Sequence, residues 1–206
     1  MQEITRLKTL GIQKLILFLC LLAGMVCVTF AMSPLNKTEC LEWHNIYRAI
    51  HQTPSLNWSD TLAARAQLWA DDLANRDAFE HDSSRGMEGE NLYKSSIDSP
   101  TACKSGTYAF YKEEQYYDYD NPGFSVAVGH FTQVVWVDSR ELGVAKANTS
   151  SGAIILVYRY SPTGNIVGEF ADNVRPPLGD ASTYTRSLFI NAFTFCSVIA
   201  INLHMF

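Results

Sequence analysis

The chain has 206 residues, 47% of them hydrophobic, and a formal net charge of -5 at pH 7. This length and apolar content suffice for one globular domain with a sizeable core. The negative charge, without a basic patch to offset it, argues against a nucleic-acid partner and against attachment to acidic lipid by charge alone.

The N-terminus has the pattern of an export signal. The basic residues Arg6, Lys8 and Lys14 precede an apolar run over residues 15–32, which contains small residues suited to cleavage. We predict that residues 1–31 are a signal peptide. The apolar run of 18 residues also approaches the length of about 17–25 that spans a bilayer, so an uncleaved signal anchor is the alternative. Both interpretations place the rest of the chain outside the cytosol.

Cysteine usage agrees with a secreted protein. Two of the five cysteines lie in the predicted signal and Cys196 lies in an apolar tail, which leaves Cys40 and Cys103 in the globular part. Two cysteines in an oxidising compartment most simply form one disulfide, which would join the start of the first helix to the start of a later one. The alternative is two separate buried thiols.

Three glycosylation sequons follow the export signal, and they begin at Asn36, Asn57 and Asn148. Each triplet is a weak signal by itself. Three of them behind a signal peptide predict a secreted glycoprotein.

Two amphipathic helices are predicted in the first half of the chain. Apolar residues recur at helical spacing from Thr38 to Gln52, and Pro54 then breaks the pattern. Ser59 is a favourable N-cap for a second, longer helix in which apolar residues step by three and four as far as Asn75.

A third helix and an aromatic loop follow. Ser99 and Pro100 predict a helix start, and the helix is expected to run to about Tyr117, although Gly106 weakens its first turns. Residues 117–124 combine turn-forming residues with aromatic rings. These rings either line a surface groove or pack over the edge of the core, and the sequence leaves both interpretations open.

The C-terminal half predicts two strands, Glu141 to Ala147 and Ala153 to Tyr160. The continuous apolar run over residues 154–157 is typical of a central strand covered on both faces. Strands mixed with helices, without a regular βαβ alternation, favour an α+β sandwich over a doubly wound sheet.

His130 leads the aromatic and β-branched segment 129–139, around which the other motifs are arranged. An imidazole titrates near pH 6.5 and is the commonest metal ligand, so His130 is a candidate base, metal ligand or hydrogen-bonded core residue. Residue type alone favours the core interpretation.

Four motifs together resemble the CAP superfamily, which includes cysteine-rich secretory proteins, wasp antigen five and the plant pathogenesis-related class-one proteins. In family order they are His44-Asn45 with Arg48, Gly89-Glu90-Asn91-Leu92, Gly129-His130-Phe131-Thr132-Gln133-Val134-Val135-Trp136 and Tyr158-Arg159-Tyr160-Ser161-Pro162-Thr163-Gly164-Asn165. The resemblance covers about residues 38–178. It implies a CAP domain with the three-layer α-β-α sandwich of an α+β fold.

The resemblance also implies a central cavity lined by two histidines and two glutamates, which fall on His81, Glu90, Glu113 and His130. Such a set suits Zn²⁺ or another divalent cation that the fold does not require, or a polar cluster in which each imidazole donates to a carboxylate. The spacing of these residues in the sequence does not choose between the two.

Some features depart from the secreted members of the family. Tyr158 replaces a cysteine of the second signature, and the family's multiple-disulfide framework is absent from the sequence. In this the chain resembles the Golgi-associated pathogenesis-related branch. Residues 179–206 lie outside the resemblance, and their small residues and apolar tail read either as a plain extension or as a lipid-anchor signal.

Two functional hypotheses follow. The first is a secreted, extracellular binding protein that holds a sterol or other lipid in a hydrophobic groove, because Tyr117, Tyr119 and Phe124 resemble the sterol-binding loop of relatives. An extracellular protein partner is compatible with it. The second is a metal-dependent hydrolase that uses the His/Glu cluster. The sequence lacks a His-Glu-x-x-His helix and a Gly-x-Ser-x-Gly elbow, which favours binding over enzymatic activity.

Overall fold

A computed structural model describes residues 34–179, in which helices cover both faces of a four-stranded sheet. In chain order the elements are α1 (Lys37–Ile50), β1 (Asn57–Trp58), α2 (Asp60–Arg76), β2 (Gly89–Ser95), α3 (Ala102–Tyr111), a 3-10 helix (Lys112–Tyr116), α4 (Gly129–Val134), β3 (Glu141–Asn148), β4 (Ile154–Ser161) and α5 (Phe170–Asn173). All described residues from 34 onward fall within one compact unit.

The sheet has the order β1-β3-β4-β2. Strand β4 pairs antiparallel with both β2 and β3, whereas the short β1 runs parallel to β3. The two strands predicted in the C-terminal half are confirmed to within a residue, and β4 is the buried central strand that its apolar run indicated.

Alternation of side chains along β4 divides the interior into two cores. Ile155 and Val157 pack with the small residues of α2, in a cluster that includes Ala66 and Ala70. Ile154, Leu156 and the two tyrosines that follow belong to the larger cluster, which contains residues of α1, α3 and α4. Because neighbouring residues of a strand point to opposite faces, one apolar strand serves both layers. The predicted α-β-α sandwich is confirmed.

Gly143 in β3 shows how closely α2 approaches the sheet. A Cβ atom at this position would collide with the backbone of Leu62 and Ala63. The hydroxyl of Ser59 accepts a hydrogen bond from the Leu62 N–H, so Ser59 caps α2 as predicted. The helix is thereby placed directly over the centre of the sheet.

The third helix begins later and ends earlier than predicted. Ser99 and Pro100 form a turn instead of the first helical residues, because the Ser99 hydroxyl accepts a hydrogen bond from the Thr101 N–H and α3 starts only at Ala102. The α-helix stops at Tyr111, and residues 112–116 continue as a 3-10 helix. This change brings the side chain of Glu113 to the site described below.

A disulfide joins Cys40 on α1 to Cys103 on α3, with their Cα atoms 4.9 Å apart. The predicted pairing is confirmed. A bridge across a loop of this length contributes about 2–4 kcal/mol to stability.

Arg48 fixes α1 to the segment that follows α4. Its guanidinium is fully buried and donates to four backbone carbonyls, those of Pro54, Val134, Trp136 and Ser139. Burial lowers the pKa of Arg48 to about 9, which still leaves the side chain charged at neutral pH. One buried cation therefore satisfies carbonyls that a loop would otherwise leave unpaired.

Within residues 34–179, no helix is both long enough and apolar enough to cross a bilayer. The predicted signal peptide or anchor, and all but the first residue of the predicted C-terminal extension 179–206, lie outside the described residues, so both remain predictions. The predicted domain boundaries likewise stay predictions.

Candidate functional site

A cavity of about 530 Å³ lies at the end of the sheet where β2 begins and β4 ends. Its buried lining is polar and includes Glu88, Glu90, Asn91 and Gln133. Its exposed lining includes the apolar side chains of Phe124, Val126 and Ile166. His81 and His130 both line the same cavity. The volume falls within the range of about 300–1,000 Å³ that is usual for small-molecule sites.

His81 is paired with Glu90 of β2. His81 Nδ1 lies 2.6 Å from Glu90 Oε1, and the same oxygen accepts a hydrogen bond of 3.0 Å from the Asp82 N–H. The carboxylate of Glu90 is fully buried, whereas the imidazole is half exposed. A carboxylate accepts from Nδ1–H, which leaves Nε2 of His81 available to the cavity.

His130 is paired with Glu113 in the same way as His81 is paired with Glu90. His130 Nδ1 lies 2.6 Å from Glu113 Oε1, while Glu113 Oε2 accepts from the backbone N–H groups of His130 and Phe131 at 2.9 and 3.1 Å. The ring of Phe110 stacks on the imidazole with centroids 5.0 Å apart. His130 is thus a partly exposed cavity residue and not a buried core residue.

Asn91, next to Glu90 in β2, contacts the second histidine. Its Nδ2 donates to the backbone carbonyl of His130 at 3.0 Å and to the Tyr160 hydroxyl at 3.3 Å. Tyr160 in turn donates to His44 Nε2 at 2.8 Å, and His44 Nδ1 donates to the Cys40 carbonyl. Burial lowers the pKa of His44 to about 3, so this third histidine stays neutral and structural.

Arg159 lies beneath the His81–Glu90 pair. No role was predicted for it from the sequence. Its guanidinium, 1% exposed, lies 2.6 Å from Asp82 Oδ2, 3.3 Å from Glu90 Oε2 and 3.7 Å from Glu88 Oε2. Arg65 of α2 completes the cluster at 2.8 Å from Glu88. A single arginine inside an otherwise apolar strand is the signal that could have revealed this cluster, because buried arginine requires partners.

The charges of this cluster affect Asp82. Burial disfavours its charged form, but hydrogen bonds from Ser84 and Arg159 outweigh burial and hold the pKa of the Asp82 carboxyl below its usual value. Asp82, the residue next to His81, therefore has a carboxylate that is bound to Arg159 of the sheet.

The four side chains predicted to hold a metal are brought together as two hydrogen-bonded pairs. Within the described part of the chain, no group of three or more His, Cys, Asp or Glu side chains forms a metal-binding set. Each predicted glutamate contacts an imidazole and so occupies the position of an outer partner, as in metal sites where a carboxylate orients a histidine ligand. The Nε2 atoms of His81 and His130 are the nitrogens that remain to coordinate a metal. A metal at this site stays a prediction.

The aromatic loop divides between core and cavity. Tyr117 is buried and packs on Phe131, and Tyr119 lies against Tyr117 with its hydroxyl donating to Glu114 at 3.0 Å. Phe124 is 56% exposed and lines the cavity. The structure therefore separates Phe124 from the other two predicted ligand-binding rings. Val126 and Ile166, which the sequence analysis did not single out, join Phe124 instead.

The three predicted glycosylation positions differ in exposure. Asn36 and Asn57 are exposed, the first as the N-cap of α1 and the second in β1. Asn148 is half-buried at the end of β3, and its Oδ1 is inaccessible to solvent.

The sandwich and its two His–Glu pairs define the class that the four motifs indicated. The pattern of the cysteine-rich secretory protein family, CAP, matches residues 41–160. The chain belongs to this family.

Two curated relatives support this assignment. Human Golgi-associated plant pathogenesis-related protein 1 is 40% identical over 143 residues, which cover 68% of this chain and 92% of the relative. Protein PRY2 of Saccharomyces cerevisiae is 42% identical over 146 residues, which cover 68% of this chain but 41% of PRY2. The first relative agrees with the predicted likeness to the Golgi-associated branch.

Solved structures confirm the fold. The crystal structure of NaASP2 with Zn²⁺ has a TM-score of 0.58 at 22% identity and covers 73% of this chain and 91% of that chain. The structure of BmVAL-1 has a TM-score of 0.56 at 23% identity and covers 76% of this chain and 90% of that chain.

Proposed function

We propose that this CAP domain is a binding protein and that the cavity between its two His–Glu pairs is the ligand site. The observation that carries the proposal is that both glutamate carboxylates are already held by neighbouring groups of the protein. Glu113 accepts from an imidazole and two backbone amides, and Glu90 accepts from His81 and the Asp82 amide while facing Arg159. A metal-dependent hydrolase, the alternative, needs a general base within reach of water or substrate. Neither glutamate is available for that role.

A divalent cation such as Zn²⁺ fits the two remaining imidazole nitrogens. His81 and His130 would hold it through Nε2, with Glu90 and Glu113 as the outer partners that orient the rings. A catalytic zinc site has about three protein ligands, so two imidazoles suit weaker, reversible binding that the fold does not require. When bound, the cation would supply positive charge for an anionic or polar group of a ligand.

A sterol or other lipid is the proposed apolar ligand. Phe124, Val126 and Ile166 place exposed apolar side chains on the cavity lining, and Val167 beside them is 89% exposed. Covering an aromatic ring of this kind with an apolar ligand is worth about 1.5–3 kcal/mol. This proposal moves the ligand contact from the predicted Tyr117 and Tyr119 to Phe124 and its cavity neighbours.

We place the protein outside the cytosol, in the secretory pathway or the extracellular space. The Cys40–Cys103 disulfide supports this, because such bonds persist in oxidising compartments. The name of the human relative records Golgi association. An extracellular protein partner and the absence of a nucleic-acid partner are parts of the same proposal.

Lipid binding is tested on the full chain with radiolabelled cholesterol and palmitate as separate probes. Phe124→Ser is expected to weaken binding by about tenfold or more, since it removes a ring worth at least about 1.5 kcal/mol. Tyr116→Ser is the matched control, because Tyr116 is 66% exposed and lies outside the cavity lining. Equal binding by both variants, or no binding of either probe by the wild type, would overturn the lipid proposal.

Cation binding is tested by titrating the full chain with ZnCl2 in a calorimeter. The double variant His81→Ala, His130→Ala is expected to abolish the binding event, and each single variant to weaken it. His204→Ala, which changes a histidine outside the described residues, should leave it unchanged. Zinc-dependent cleavage of peptide or ester substrates that disappears in the double variant would favour the hydrolase instead.

A further inference from the structure

We propose that Arg159 is a positioning residue for His81. Through Glu90 it fixes Nδ1 of His81 as a hydrogen-bond donor and so presents Nε2 to the cavity. This inference deepens the proposed function and rests on it for the use of the cavity. Arg159 contacts only one of the two His–Glu pairs, so the other pair serves as a control within the same molecule.

Arg159 and Glu90 are directly opposed in the antiparallel register of β4 and β2, so their side chains lie on the same face. Glu90 is completely buried, and a buried carboxylate without a compensating charge is strongly unfavourable. The Arg159 guanidinium, 3.3 Å from Glu90 Oε2, supplies that charge.

The charge of Arg159 acts on His81 through the carboxylate of Glu90. An ionised carboxylate only accepts hydrogen bonds, so the proton of the neutral imidazole must be on Nδ1, which is 2.6 Å from Glu90 Oε1. The lone pair is then on Nε2. If the Glu90 carboxylate turned away from His81, the imidazole could carry its proton on Nε2 instead, which would remove the nitrogen lone pair from the cavity.

Arg159 also contacts the side chain of the residue beside His81. Its shortest contact, 2.6 Å, is to the carboxylate of Asp82, the residue next to His81. The Asp82 N–H donates to the same Glu90 oxygen that receives the imidazole. One guanidinium thus contacts both the hydrogen-bond partner of His81 and the side chain of its chain neighbour.

The His130 pair is built without such a cation. Glu113 is held by two backbone N–H groups, and among the described residues no arginine or lysine forms an ion pair with it. Loss of Arg159 should therefore alter His81 and spare His130. The buried His44 and His51, whose ring nitrogens are all hydrogen-bonded, report on the integrity of the fold.

The experiment is two-bond ¹H–¹⁵N NMR of the histidine rings in the full chain at pH 8.5 without metal. Arg159→Met is expected to convert the pure Nδ1–H pattern of His81 into a mixture of tautomers, with His130, His44 and His51 unchanged. Arg159→Lys keeps the charge, but its single nitrogen cannot replace both the guanidinium nitrogen that contacts Asp82 and Glu90 and the one that faces Glu88, so a smaller change is expected. It carries the test if Arg159→Met does not fold.

An unchanged His81 pattern in a folded variant would overturn the proposal, as would equal changes in His81 and His130. A subsequent ZnCl2 titration should show affinity about tenfold lower for Arg159→Met, which is the scale of effect for outer partners of a metal ligand. If the wild type binds no zinc, the cation part of the proposed function fails, while the tautomer result still decides the role of Arg159.

Discussion

Glu90 and Asn91 are consecutive residues of β2, and they hold the two cavity histidines from opposite faces of the sheet. Glu90 accepts from the imidazole of His81, which follows α2, whereas Asn91 donates to the backbone of His130, which lies in α4 on the other layer. Alternation along a strand makes this division possible. A register shift of one residue would exchange the two faces and separate both histidines from their partners.

Asn91→Ala is predicted to lower the free energy of unfolding by about 1–3 kcal/mol, because the carbonyl of His130 and the hydroxyl of Tyr160 lose a buried donor. Urea denaturation followed by fluorescence measures this change. Lys94→Ala on the same strand, where the side chain is exposed, should change stability by less than about 0.5 kcal/mol. A loss at Asn91 no larger than that at Lys94 would contradict this role of the amide.

The fold could be predicted from the sequence because its elements depend on local patterns. The spacing of apolar residues located α1 and α2, and the continuous apolar run of β4 indicated a central strand. The end of α3 could not be predicted in the same way. Residues 112–116 have helical composition, which indicates neither the 3-10 helix nor the hydrogen bonds that join Glu113 to the backbone of α4.

The site was predictable only to the level of residue identity. The family resemblance indicated the four side chains and left open two arrangements, a metal site or a cluster in which each imidazole donates to a carboxylate. The structure has the imidazole–carboxylate pairs of the second arrangement. The role of Arg159 was not predicted because its three carboxylate partners come from a loop and from another strand. Their proximity therefore depends on tertiary structure. Phe124 was grouped with Tyr117 by the resemblance to the sterol-binding loop of relatives, although the loop turns the two rings toward different environments.

Arg48→Lys is predicted to destabilise the protein by about 3 kcal/mol. Lysine retains the charge but cannot reach four carbonyls in the fixed geometry of a guanidinium, so buried acceptors are left unpaired. The measurement is the midpoint of guanidinium denaturation. Arg76→Lys, at an exposed position with two surface ion pairs, is the matched control and should cost less than about 1 kcal/mol. Similar effects of the two substitutions would show that the carbonyl contacts of Arg48 are not important for stability.

The free energy of unfolding is predicted to decrease as the pH is lowered below about 6.5, because of His44. Burial lowers its pKa to about 3 in the folded state, whereas the unfolded side chain binds a proton near pH 6.5. The unfolded state therefore binds more protons between these values, and stability decreases as the pH falls. The expected contribution is about 1.4 kcal/mol per pH unit between about pH 6 and 4. Burial lowers the pKa of His51 as well, so both effects have the same sign.

The variant His44→Gln tests this pH dependence. It lacks the titrating group, so the slope of unfolding free energy against pH should decrease by about 1.4 kcal/mol per unit, even if the variant is less stable at pH 7. Urea denaturation at half-unit intervals from pH 7 to 4 measures both slopes. Parallel curves for the wild type and the variant would contradict the prediction.

Expression in a eukaryotic secretory pathway is predicted to add glycans at Asn36 and Asn57 but not at Asn148. The first two side chains are exposed, and the capping of α1 uses only Oδ1 of Asn36, so its Nδ2 remains free for modification. At the third sequon, Asn148 Oδ1 is buried, and the buried hydroxyl of Thr149 contacts Ser151 and both backbone groups of Ala153. Mass spectrometry of tryptic glycopeptides before and after glycosidase treatment measures occupancy at each site. Asn57→Gln should remove one glycan and Asn148→Gln none, whereas substantial occupancy of Asn148 would mean that modification precedes formation of the β3–β4 turn.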